Sequence, residues 1–245
     1  MPRYFIEVAY KGTRYSGFQI QQNAITVQSE VEQALATLHR QSFSLTGSSR
    51  TDAGVHAQQN YFHFDAEIIH PQAVYKLNAI LHDDIVVKQI VQMPDAAHCR
   101  FDAISRQYEY HIYRFKNPFL KDVAYYYPYK LDTTAMQKAA AFIKEQTHFQ
   151  TFSKAHTQVH NYNCTILKSI WAFEKDEMLY TIEANRFLRG MVRMLTASML
   201  RLGRGQLSFD DYKKYFTETR QCVYSAPAHG LFLKRVRYPS GYLLM

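Results

Sequence analysis

The sequence predicts an α+β fold built on a largely antiparallel sheet, and three observations carry that prediction. Extended and helical segments are mixed along the chain without the Gly-rich strand-to-helix turn that a doubly wound nucleotide-binding sheet uses. In the run from Tyr108 to Tyr113, Tyr108 and Tyr110 stand at the two-residue repeat of a strand. Val27, Val31, Leu35 and Leu38 recur at helical spacing. With 245 residues, the chain suffices for one large domain or two ordinary ones around a substantial apolar core.

In chain order, a strand is expected over Tyr4 to Tyr10, then the helix that carries Val27 to Leu38. Ser42 to Thr46 reads as a short strand, Gly47 to Gly54 as a loop and Tyr61 to Phe64 as a return to extended structure. A helix over about Pro71 to Leu81, a strand over Ile85 to Val91 and the tyrosine run lead to the Asn117-Pro118 break, a candidate boundary region. Beyond it come a helix capped by Asp132, extended segments around Thr165 to Phe173 and Met178 to Glu183, and a long helix beginning near Arg186. Two α+β subdomains are expected: residues 1–105 with the loop around Asp52, and residues 106–245 with the tyrosine strand and the arginine helix. No internal repeat or low-complexity linker is visible.

Composition narrows the partners rather than the fold. The hydrophobic share of 47% and charged share of 20% are ordinary, whereas 19 tyrosines and 16 phenylalanines are many. A net charge of +8 attracts polyanions such as RNA or an acidic lipid surface. The longest apolar helical stretch, Phe187 to Leu202, is interrupted by Arg189, Arg193 and Arg201 and cannot span a bilayer, so no membrane partner is expected. The opening residues lack the apolar block of a signal peptide, which makes the cytoplasm the expected location. Cys99, Cys164 and Cys222 are far apart and odd in number, a pattern of reduced core thiols.

Three constellations are candidates for chemistry. In Gly47-Ser48-Ser49-Arg50-Thr51-Asp52-Ala53-Gly54-Val55-His56, a carboxylate lies on a loop among small residues that admit a large substrate. Arg50 is close enough in sequence to keep Asp52 ionised, as a nucleophile or general base requires; a capped turn with a surface ion pair fits the same pattern. On the expected helix from Arg186, the residues Arg186, Arg189 and Arg193 share one face with Gly190 and Ala197, opposite Leu188, Met191, Leu195, Met199 and Leu202. That face is either solvated or, through its small residues, a dock for a phosphate backbone or for Asp52. The tyrosines of Arg106-Gln107-Tyr108-Glu109-Tyr110-His111-Ile112-Tyr113 either stack a base or fill a core.

Other chemistries lack their motifs. No phosphate-binding P-loop occurs, and Gly203-Arg204-Gly205 alone is too little for dinucleotide binding. No zinc deaminase signature is present, and His156 and His160 are four apart without a Glu-centred zinc motif.

The run Arg50-Thr51-Asp52-Ala53-Gly54-Val55-His56 resembles the signature loop of TruA-type tRNA pseudouridine synthases. The resemblance extends before it to Tyr10-Lys11-Gly12-Thr13-Arg14-Tyr15-Ser16-Gly17-Phe18-Gln19. After it come His98-Cys99-Arg100-Phe101, Arg106-x-Tyr108-x-Tyr110, Asn185-x-Phe187-Leu188-x-x-Met191-Val192-Arg193, Ala226-Pro227-Ala228-x-Gly230-Leu231 and Val236-x-Tyr238-Pro239. Nearly the whole chain is covered in the family's order. The resemblance implies two similar subdomains sharing a largely antiparallel sheet with helices packed on it, a homodimer, and tRNA as partner. It further implies isomerisation of uridine at positions 38 to 40 of the anticodon arm.

By motif position, Asp52 is the implied nucleophile, Tyr108 contacts the target base and Arg193 pairs with the aspartate. Arg50 is expected at the substrate, with Arg186 and Arg189 on the RNA backbone. The implied reaction breaks the C1′–N1 bond and joins C1′ to C5; atoms are conserved without redox, so neither metal nor organic cofactor is expected. Ser49 and Ala197 stand where the family usually has glycine, Phe18 where it often has tryptophan, and Ile20 where an arginine is frequent. Rival readings are a non-catalytic RNA-binding protein on the same scaffold, a synthase for another RNA, and a metal-dependent hydrolase using His82, Asp83 and Asp84.

Overall fold

In chain order the elements are β1 (Arg3–Tyr10), α1 (Val27–His39), β2 (Thr46–Gly47), β3 (His56–Asp65), α2 (Ala73–Ile80), β4 (Ile85–Met93), β5 (Ser105–Tyr113) and β6 (Tyr125–Tyr126). There follow α3 (Thr133–Lys144), β7 (Ile166–Phe173), β8 (Glu177–Ala184), α4 (Met191–Gly203), α5 (Phe209–Thr217) and β9 (Leu231–Arg237). This is a computed structural model that describes residues 1–154, 160–218 and 222–243. Two compact units result: Met1–Ile104 with Leu233–Met245, and Ser105–Phe232. The α+β class with antiparallel strand pairing is as the sequence predicts.

In the first unit, β1 pairs antiparallel with both β3 and β4, while β2 pairs with β3 and β9 lies next to β3. Being central, β1 is buried on both faces, with Ile6 and Val8 on one and Phe5 and Glu7 on the other. The buried Glu7 carboxylate accepts hydrogen bonds from Tyr61 Oη (2.7 Å), Gln89 Nε2 (2.8 Å) and Gln59 Nε2 (3.2 Å), which offset its desolvation. Helix α1 starts with a capping box, in which Thr26 Oγ1 accepts from Ser29 N and Ser29 Oγ accepts from Thr26 N. Its Val27, Val31 and Leu35 are buried, as their spacing predicts. Between β1 and β3 the register shifts after Val8, a bulge that lies just where β3 leaves the Asp52 loop.

In the second unit, β8 pairs antiparallel with β5 and β7, and β6 adds to β5 in parallel. Asp132 caps α3 by accepting from Ala135 N at 2.9 Å. Helix α3 packs on β7 and against α4, where a Cβ on Gly203 would lie 2.7 Å from Met136 Sδ.

Four expectations are corrected. Ser42 to Leu45 is not a strand, because side chains of α1 take its backbone groups: Glu32 Oε1 accepts from Leu45 N and Gln28 Nε2 donates to Leu45 O, both at 2.8 Å. Asn117-Pro118 is a turn inside the second unit, with Asn117 Oδ1 accepting from Phe119 N at 3.0 Å. The segment Leu233–Met245, grouped with the second half in the division at residue 105, belongs to the first unit. There Gln59 Oε1 accepts from Val236 N, and the Tyr238 ring packs on Phe5 and Tyr61. Helix α4 begins at Met191 rather than near Arg186, because Gly190 at φ 77° breaks right-handed helical geometry.

Candidate active site

The loop that carries Asp52 is fixed from several directions. At its start, Ser48 N donates to Tyr61 O (2.8 Å) and Asn60 Nδ2 donates to Ser49 O (2.8 Å). The fully buried Asn60 also reaches Tyr10 Oη (3.2 Å), which bonds Thr51 Oγ1 at 2.8 Å. Thr51 O accepts from Phe18 N, and Asp52 O accepts from Val55 N, both at 3.2 Å. Buried polar groups paired in this way hold a loop about as firmly as a core element.

The segment between β1 and α1 seats the loop by close approach. A Cβ on Gly12 would lie 2.0 Å from Val55 O, and Gly12 N donates to His56 Nδ1 at 3.0 Å. That bond makes Nδ1 the acceptor and places a neutral imidazole's proton on Nε2. Gly17, at φ 104°, would bring a Cβ within 3.1 Å of Thr51 O. Phe18 lies stacked on Phe62 at 4.3 Å, against Gly47, where a Cβ would be 2.2 Å from its ring. The flanking Ser48, Ser49, Thr51 and Val55 are buried, whereas Asp52 is half-buried and Arg50 is exposed. Ser49 Oγ is buried without a hydrogen-bond partner among the described residues.

The other expected residues lie in the second unit. Tyr108, on β5, is buried and meets Phe187 edge to face at 5.2 Å. Arg193, in the first turn of α4, donates from Nε to Ala226 O at 2.7 Å, and Ala226 N donates to Arg193 O at 3.0 Å. This reciprocal clasp is backed by Tyr110, whose Oη donates to Pro227 O at 2.7 Å across Gly230. Burial raises the Tyr110 pKa and keeps its hydroxyl a donor.

Arg186 and Arg189 do not extend a helical face with Arg193, which corrects that expectation: both precede α4, in the irregular segment after β8. Arg189 is exposed and its carbonyl accepts from Lys154 N at 3.0 Å, so this segment gathers cations without helical periodicity.

Sequence reasoning missed the structural work of Gly12, Gly17, Asn60 and Ala226. The first, second and fourth fall within recognisable motifs, but only tertiary contacts show what each touches. His82 and Asp84 pair with Arg14. Among the described residues no group of three His, Cys, Asp or Glu side chains could hold a metal ion, and no helix is long and apolar enough to cross a membrane. His156 lies outside the described residues. All three cysteines are buried, and burial pushes the Cys164 thiol up to about 11.

A family profile described as tRNA pseudouridine synthase matches residues 6–102 and 146–239. A protein named tRNA pseudouridine synthase A from Parabacteroides distasonis is 42% identical over 244 residues, covering 98% of this chain and 97% of its own length. One of the same name from Porphyromonas gingivalis is 40% identical over 252 residues, covering both chains completely. A Staphylococcus aureus protein of that name is 36% identical over 248 residues, covering 99% of this chain and 93% of its own. Matches of this extent, over a chain whose quoted motifs build both the Asp52 loop and the Arg193 clasp, show that it belongs to the tRNA pseudouridine synthase family.

Proposed function

We propose that the protein isomerises uridine to pseudouridine in tRNA, with Asp52 as the nucleophile and uridines at positions 38 to 40 of the anticodon arm as targets. The observation that carries this reading is the Asp52 loop: its flanks are buried and hydrogen-bonded, yet Asp52 keeps partial exposure. A carboxylate held in one place before substrate arrives spends no binding energy on ordering itself.

In this reading the target uridine leaves its stack, a cost of a few kcal/mol offset by phosphate contacts and by stacking. Tyr108 meets the extruded base. Asp52 attacks the nucleotide covalently, the C1′–N1 bond breaks, the uracil turns and C1′ joins C5; the bond to Asp52 then breaks, the C5 hydrogen leaves as a proton and N1 takes one up. Arg193 pairs with Asp52 and orients it, and Arg50 contacts the substrate. Arg186 and Arg189 bind the RNA backbone, which makes binding salt-dependent. The enzyme acts as a homodimer in the cytoplasm and needs no cofactor, because the reaction conserves atoms and electrons.

The test is pseudouridine formation in an unmodified tRNA transcript, mapped by position in the presence of a chelator. The parent is expected to give product at positions 38 to 40, and Asp52→Asn none, with RNA binding retained. Product from Asp52→Asn at the parent rate removes Asp52 from the chemistry; product confined to other positions refutes the anticodon assignment.

A further inference from the structure

A cavity of about 170 Å³ in the second unit is lined by Tyr125 and Tyr127, by Ala197 and Arg201 of α4, and by Tyr224 and Ser225. It adjoins the Arg193 clasp, because Ala226 also lines it and accepts the Arg193 hydrogen bond. Ala197 lies one turn beyond Arg193 on α4, and its small side chain leaves the space open.

Size and lining together select a ligand. An enclosed cavity of roughly 150 Å³ accepts one benzene ring, so the sheltered part of this one, open on one side to solvent, matches a single six-membered ring. Its walls are not those of a dry apolar void: three tyrosines and a serine supply hydroxyls, and Arg201 supplies charge. The Arg201 guanidinium lies 3.7 Å from the Tyr224 ring centroid and also hydrogen-bonds the Tyr215 hydroxyl, and a guanidinium carries five N–H donors, enough to serve an anion as well. Arg204, 3.8 Å from the Tyr129 centroid, places a second cation at the end of the same helix. The lining contains no carboxylate to oppose an anion. Tyr125 and Tyr127, 5.3 Å apart, offer faces for an aromatic ring.

We infer that this cavity is a second nucleotide subsite, which takes a pyrimidine ring among its tyrosines and the attached phosphate at Arg201. The ligand is either a pyrimidine nucleotide of bound RNA or a free pyrimidine mononucleotide; the first source rests on the function proposed above. The subsite would give α4 two roles, with Arg193 near its start and the nucleotide two turns further on.

Calorimetric titration of uridine 5′-monophosphate into the full chain tests the subsite without turnover. Tyr224 is 46% exposed, so truncating it should leave the fold intact. The parent is expected to show saturable binding that persists in Tyr108→Ala and weakens roughly tenfold in both Tyr224→Ala and Arg201→Gln. Absence of saturable binding, or unchanged affinity in those two variants, overturns the inference. A second arm measures KM for a tRNA transcript: a raised KM in Tyr224→Ala with kcat unchanged assigns the subsite to RNA, and an unchanged KM assigns it to a free nucleotide. Because the first arm involves no tRNA, failure of the proposed activity and failure of the subsite are distinguishable.

Discussion

Replacing Gly12 by alanine tests whether the seat of the Asp52 loop governs function. The added Cβ would lie 2.0 Å from Val55 O, 2.7 Å from Val55 C and 3.1 Å from Val55 N. All three are backbone atoms, so no rotamer change relieves the contact. An ordinary C···O approach is about 3.3 Å or more, so the two segments must separate by about 1 Å. Separation breaks the 3.0 Å bond from Gly12 N to His56 Nδ1, worth about 1 kcal/mol, and adds overpacking of about 1–3 kcal/mol. The total of about 2–4 kcal/mol corresponds to a Tm lower by roughly 5–15 °C for a chain of this size. Val55 N is bonded to Asp52 O, so the shift reaches the proposed nucleophile, where a displacement of about 1 Å costs on the order of a hundredfold in kcat. Gly205→Ala is the control: at φ +69° with nothing within 4 Å, it should lose only about 1 kcal/mol and no activity. Thermal unfolding and kcat/KM on a tRNA transcript read both effects. A Gly12→Ala protein with the Tm and kcat/KM of the parent would refute this reasoning.

Asn60→Ala removes the side chain that joins Ser49, Tyr10 and Tyr61 N; about 2–4 kcal/mol of stability should disappear, with a fall in kcat, and urea unfolding that matches the parent would show the network to be idle. Burial, and after it the nearby Arg3 and His98, hold the His63 imidazole down to about 4. Between about pH 6.5 and 4 the unfolded chain therefore binds a proton that the folded chain does not, so this stability is complete above pH 6.5 and is lost as the pH falls towards 4. Between pH 7 and 5 the loss should be about 2 kcal/mol in the parent and smaller in His63→Gln; identical acid sensitivity in the two argues against it. Arg193→Lys keeps the charge but lacks the Nε that bonds Ala226 O, so kcat should fall roughly a hundredfold while tRNA still binds, and normal turnover would exclude the positioning role.

Local chemistry made much of this protein legible in its sequence. The Asp132 cap, the buried stripe of α1, the extended run of β5, and the loop that carries Asp52 all depend on residues within a few positions of one another. The motifs identified the family for the same reason, since each is a contiguous run. The rest was decided at long range. Glu32 and Gln28 of α1 take up the backbone of Leu45, so a segment that alternates like a strand does not pair as one. Gly190 adopts a positive φ that delays the start of α4 to Met191, which separates Arg186 and Arg189 from the helical face of Arg193. Val236 bonds to Gln59 across 177 positions and draws the C-terminal segment into the first unit. Periodicity records only the neighbours that a repeating backbone brings together, at two residues in a strand and at three or four in a helix. A glycine required by a carbonyl 43 positions away, as Gly12 is by Val55, leaves no such record, and tertiary packing alone reveals it.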